Sequence, residues 1–148
     1  MTFTFESMPG ADLVAEDFGM KVVDIGRNAP QNVIKNTQPW RIEVEWHEEG
    51  LMAGVLPGNW VVDAYVESIG QGGEFKVGTA ATPMAFAAHN VVINVPASNA
   101  AGGVPLAPGE QTTPYKLVVT LTADNGAGGR YPMAGYAEGP ILQFYQTP

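Results

Sequence analysis

The chain has 148 residues, seven Lys and Arg against fifteen Asp and Glu, a net charge of −8 and no cysteine. That length suits a single domain whose core needs no staples, and the lack of cysteine excludes disulfides and thiolate metal sites. The negative charge repels phosphate backbones and anionic lipid, and no stretch approaches the roughly 20 consecutive apolar residues of a membrane span, so neither nucleic acid nor membrane is an expected partner.

The first segment, 1–19, lacks the basic region and apolar run of a secretory leader, which predicts a protein retained in the cytoplasm or incorporated in a virion-like particle. It combines acids with Phe3, Phe5, Leu13 and Phe18, the candidate interaction residues of an N-terminal arm able to dock on a neighbour. The alternation of Phe3-Thr4-Phe5 also suits an edge strand. Residues 20–148 form the predicted domain, with Met20 to Ile25 as its first strand. Trp40 to His47 is the clearest strand: apolar Trp40, Ile42, Val44 and Trp46 alternate with polar Arg41, Glu43, Glu45 and His47, so one face is buried. Trp60 to Glu67, Glu74 to Val77, Asn90 to Val95, Tyr115 to Thr122 and Ile141 to Gln146 follow. Pro39, Pro96, Pro114 and Pro140 bound these runs where a missing N–H harms a ladder least.

Eighteen glycines and twelve prolines punctuate the short runs, the pattern of an all-β sandwich or barrel. LMAGVLPGN, between the second and third runs, and Gly70-Gln71-Gly72-Gly73, between the third and fourth, are expected to be hairpins, making the flanking strands antiparallel neighbours. Ala97 to Thr113 is too long for an ordinary turn and is expected to cross between sheets or to be a mobile loop. The stretch 124–129, DNGAGG, has the same flexible composition, and both are candidate binding loops.

Leu106-Ala107-Pro108-Gly109, followed by Tyr115-Lys116-Leu117-Val118-Val119-Thr120-Leu121, resembles the corner and strand of immunoglobulin-like and fibronectin-type sandwiches. In those folds a corner tyrosine sends its hydroxyl to upstream backbone. The resemblance spans about 16 residues and implies fold class only, because unrelated functions share it.

Motifs that carry chemistry are scarce. Ser7, Ser68 and Ser98 sit in neither a G-x-S-x-G elbow nor an S-x-x-K pattern, and the glycines at 70–73 lack the Lys-Ser/Thr of a phosphate loop. Arg41, Glu43, Glu45 and His47, joined by Asp63 and Glu67 from a neighbouring strand, would offer carboxylates and an imidazole to a cation. A metal, however, needs three or four ligands converging at about 2.0–2.5 Å, and strand neighbours diverge into water, so a solvated face is expected. His89 begins an apolar strand and is read as a strand-end residue. No catalytic residue, metal site or cofactor is assigned.

Trp60 opens its strand beside a P-G-N turn; with a half-exposed ring it joins Tyr131 and Tyr136 as candidate ligand-binding aromatics. Trp60-Val61-Val62, Val91-Val92-Ile93, Leu117-Val118-Val119 and Ile141-Leu142 are apolar on both faces, so the second face calls for cover by loops or by a partner. The expected fold is a single two-layer antiparallel β-sandwich, immunoglobulin-like, of seven or eight strands. Its expected core is Trp40, Ile42, Val44, Trp46, Val62, Val66, Val91, Ile93, Leu117, Val119 and Leu121. The expected role is a non-enzymatic structural or protein-interaction module, self-associating or bound to a protein partner in a larger assembly. The alternative is a module that binds carbohydrate or another small ligand.

Overall fold

A computed structural model of the chain describes residues 2–25, 29–30, 32–69, 73–106 and 112–146. Among them run ten strands: β1 Phe3–Glu6, β2 Val14–Asp24, β3 Ala29–Pro30, β4 Val33–Lys35, β5 Trp40–Glu49, β6 Asn59–Ser68, β7 Glu74–Pro83, β8 Ala88–Val95, β9 Thr112–Asp124 and β10 Arg130–Tyr145. The larger sheet has the order β1-β10-β9-β6-β7, with β4 parallel to the C-terminal end of β10, and the smaller has the order β3-β2-β5-β8. The remaining pairings are antiparallel. No helix of the described residues is long and apolar enough to cross a membrane.

The sheets meet on the faces that alternation marks as apolar. Trp40, Ile42, Val44 and Trp46 of β5, Val62 and Val66 of β6, Val91 and Ile93 of β8, and Leu117, Val119 and Leu121 of β9 are all buried in one cluster. Every expected strand is present, but ten are found in place of seven or eight, because β1, β3 and β4 add short edge pieces. β2 begins at Val14 rather than Met20. A bulge sets Asp17 and Phe18 opposite Trp46 alone, with Asp17 at φ 54°, and this break in alternation hides the first half of the strand. β10 begins at Arg130 rather than Ile141, and a second irregularity between Glu138 and Ile141 switches its buried side from odd to even residues.

One connection differs from expectation. β5 lies in the smaller sheet and β6 in the larger, so LMAGVLPGN is a crossover and not a hairpin. Its strands pack face to face, with the rings of Trp46 and Trp60 meeting edge-on at 6.1 Å. Pairing of β6 with β7 is antiparallel as expected, although Gly70, Gln71 and Gly72 lie outside the described residues. The segment after β8 passes from the smaller sheet to the larger, as expected; Ala107, Pro108 and Gly109 also lie outside the described residues. Tyr115 Oη donates to Pro105 O at 2.6 Å, ten residues upstream in the chain. The hairpin at 125–129 is tied tightly, since Asn125 Oδ1 accepts from the amides of Ala127 (2.9 Å) and Gly129 (3.0 Å).

An aromatic chain closes the edge between β1 and β2. Phe3 stacks on Phe18 at 4.2 Å, Phe5 meets Trp60 at 6.2 Å, and Trp46 stacks on His89 at 5.4 Å. Gly135 of β10 makes room for it: a Cβ there would stand 2.6 Å from Phe3 and 2.9 Å from Phe5.

Candidate functional site

Two places on the molecule carry more than a fold requires: one end of the sandwich and the outer face of the larger sheet. The end is organised by Glu48. Alternation along β5 continues past Trp46, so residue 48 points inward, and its carboxylate is only 1% exposed. A buried carboxylate is tolerated when its oxygens are filled with hydrogen bonds. Oε1 accepts from Trp60 Nε1 at 2.6 Å and from the Ala85 amide at 3.1 Å, with His89 Nε2 at 3.3 Å; Oε2 accepts from the Gly54 amide at 2.9 Å.

One side chain thus holds the loop 50–58 and the loop 84–87 together. Further bonds fix the first loop: Tyr131 Oη donates to Pro57 O (2.6 Å), and the Met52 amide to Asp12 O (2.9 Å). The Met84 amide donates to Gly58 O at 3.0 Å, tying the loops to each other. On this framework Leu51, Val55 and Phe86 stand in solvent, 85%, 64% and 67% exposed. Gly54, at φ 76°, lies directly under the Phe86 backbone, so the two loops touch.

The aromatic candidates divide. Trp60 is fully buried rather than half exposed, because Glu48 draws its N–H inward; no face of the ring is open to a ligand. Tyr131 is partly buried, with its hydroxyl bound to Pro57. Tyr136 alone presents its ring, 48% exposed, on the outer face of the larger sheet. Of the candidate interaction residues, Leu13 is a core residue, while Phe3, Phe5 and Phe18 are half-buried and pack on one another and on Trp60. His89 is buried in the Glu48 network and also lies 3.0 Å from Ala85 O, so it is more than a strand end.

The acidic set is split. Arg41, Glu43, Glu45 and His47 lie on the outer face of the smaller sheet, whereas Asp63 and Glu67 lie on the larger one, so the two groups cannot converge. Arg41 Nε donates to Glu43 Oε2 at 2.8 Å and holds that carboxyl below its ordinary range, with Lys21 Nζ at 3.5 Å. Among the described residues no group of three or more His, Cys, Asp or Glu is placed to hold a metal ion. The doubly apolar strands leave Val92 and Ile141 45% and 53% exposed, on different sheets, so they form no common patch.

On the outer face of the larger sheet, registers bring together residues distant in sequence. Thr4, Tyr136, Thr120, Asp63 and Thr79 form one row across five strands. Glu138, Val118, Tyr65 and Lys76 form the next. A shallow depression of about 490 Å³ takes in Thr4, Tyr136, Thr120 and Asp63 of the first row and Tyr65 of the second, and is bordered by Glu6, Thr122 and Arg130. Beside it Lys76 Nζ is 3.0 Å from Asp63 Oδ1, and farther out Lys116 Nζ is 2.7 Å from Glu138 Oε2. Arg130 Nη1 donates to Thr122 Oγ1 at 3.1 Å.

No known family model matches the chain, and no curated protein matches it in sequence.

Proposed function

We propose that the chain is a non-enzymatic protein-interaction module, a self-associating subunit of an assembly in the cytoplasm or in a virion-like particle, docking through the loop end that Glu48 organises. The observation that carries this reading is the exposure of Leu51, Val55 and Phe86 on two loops fixed from below. Large apolar side chains held in water by rigid backbone lose little conformational entropy on binding, and buried anchors of this kind dominate interface energies. Loops at one end of a sandwich are also the usual place for recognition. The Tyr115–Pro105 hydrogen bond supports an immunoglobulin-like form of the sandwich.

Sedimentation equilibrium tests the reading. The wild-type protein should associate with rising concentration, and Phe86→Asp should weaken association at least tenfold, about 1.4 kcal/mol, without altering the far-UV spectrum. A wild-type protein that stays monomeric at high concentration, or association unchanged in Phe86→Asp and Leu51→Asp, would refute it.

A further inference from the structure

We infer that the outer face of the larger sheet is a binding site for a neutral oligosaccharide, with Tyr136 and Tyr65 as the stacking surfaces. This surface is separate from the loop end and does not depend on it. Four features converge there.

First, the face is shaped: the depression of about 490 Å³ is built on paired strands rather than on a loop, and β10, β9 and β6 each carry a ladder on both sides, so the site is pre-organised. Second, its two tyrosines lie on β10 and β6, separated by β9. Tyr136 pairs with Thr120 and Tyr65 with Val118, which by strand spacing and rise sets their backbones about 12 Å apart on a diagonal. That span suits a chain of two or three sugar rings, with Tyr136 48% exposed and Tyr65 half-buried.

Third, the depression is lined by hydroxyls, with Thr120 between the two tyrosines and Thr122 and Thr4 farther out. Thr120 and Thr122 of β9 and Thr4 of β1 can each donate and accept, which matches a ligand whose own groups do both. Asp63, directly beside Thr120, is only 7% exposed although it points outward, so its carboxylate is held in place as an acceptor by Lys76. Fourth, the charges balance locally: Asp63 is paired with Lys76, the other two lining charges, Glu6 and Arg130, are of opposite sign, and the protein as a whole carries −8. An anionic glycan would be repelled at long range and meet no unbalanced cationic cluster, whereas a neutral one pays neither penalty.

The test is titration of the ¹⁵N-labelled protein with neutral tetrasaccharides (cellotetraose, xylotetraose, mannotetraose and maltotetraose) and with an anionic one, tetra-galacturonate. The expected result is that at least one neutral probe shifts the amides of Asp63, Tyr65, Thr120 and Tyr136, while tetra-galacturonate binds more weakly. Tyr136→Ala and Tyr65→Ala should each weaken binding about three- to tenfold, with the remaining spectrum unchanged as proof of folding. Phe86→Asp, which tests the loop end, should leave the affinity intact. The inference is overturned if no neutral probe shifts these amides, if the shifts map elsewhere, if tetra-galacturonate binds best, or if the double tyrosine variant binds like the wild type.

Discussion

Replacing Glu48 by Gln alters one atom of the loop clasp while conserving its volume, so it isolates hydrogen bonding from packing. In the better orientation the amide oxygen keeps the site of Oε1, facing Trp60, Ala85 and His89. The new –NH₂ then faces the Gly54 amide, donor against donor, in place of a 2.9 Å hydrogen bond. One buried donor left unsatisfied costs about 1–3 kcal/mol. For a chain of this size that lowers the melting temperature by about 2–12 °C. The flipped orientation would oppose three donors and is therefore disfavoured. Thermal unfolding by circular dichroism gives the stability change, and hydrogen exchange gives its location: Gly54 and its neighbours in the 50–58 loop should exchange faster, while amides in the centre of β9 change only as far as global stability does. Stability within about 0.5 kcal/mol of wild type, with Gly54 exchange unaltered, would refute the claim that the carboxylate fixes the loops.

Trp46→Ala should cost about 3–5 kcal/mol and Glu45→Ala within about 0.5 kcal/mol, read by urea unfolding, because adjacent residues of β5 face opposite sides. Gly135→Ala should destabilise by about 1–3 kcal/mol, since its methyl would collide with the Phe3 and Phe5 rings, and limited proteolysis should then cut ahead of β2. Burial raises the Tyr115 hydroxyl above its ordinary value of 10.0, and the hydrogen bonds to Asp63 and Glu138 raise Lys76 and Lys116. A raised folded-state value means stability that is complete below the unfolded value and lost as pH rises through the folded one, so denaturant midpoints should hold level from neutral pH to about pH 10 and fall beyond it.

The buried faces were legible in the sequence because alternation reports which way a side chain points. It does not report which strand lies alongside, so alternation alone does not separate the β5–β6 crossover from a hairpin. The same alternation contained the clasp: Glu48 has the parity of Trp40 and Trp46, so a charged residue was marked for the interior by the period that marked the tryptophans. The expected run ended at His47, one position too early. In β2 the bulge at Asp17 interrupts the period, and in β10 Pro132, Gly135, Gly139 and Pro140 have turn chemistry although they occupy one long, bulged strand paired on both sides. The tyrosine face was invisible for another reason. Tyr65, Thr120 and Tyr136 are brought together only by registers between β6, β9 and β10, and no local pattern encodes those.

The position of β10 has a consequence for biosynthesis. It is the strand on which β1, β4 and β9 all depend, and Phe3 finds its partner only at Ala137. At about 5–20 residues per second, a ribosome takes on the order of 10 s to bring that partner into being. Through that interval the phenylalanines of β1 have no strand to pair with, while β2, β3, β5 and β8 of the smaller sheet have all been made once Val95 is out. Closing so long a loop also slows the final step. The nascent chain therefore carries a half-built sandwich in which the later β10 seals the earlier β1, and chaperone occupancy should be highest before residue 137 emerges and drop soon after.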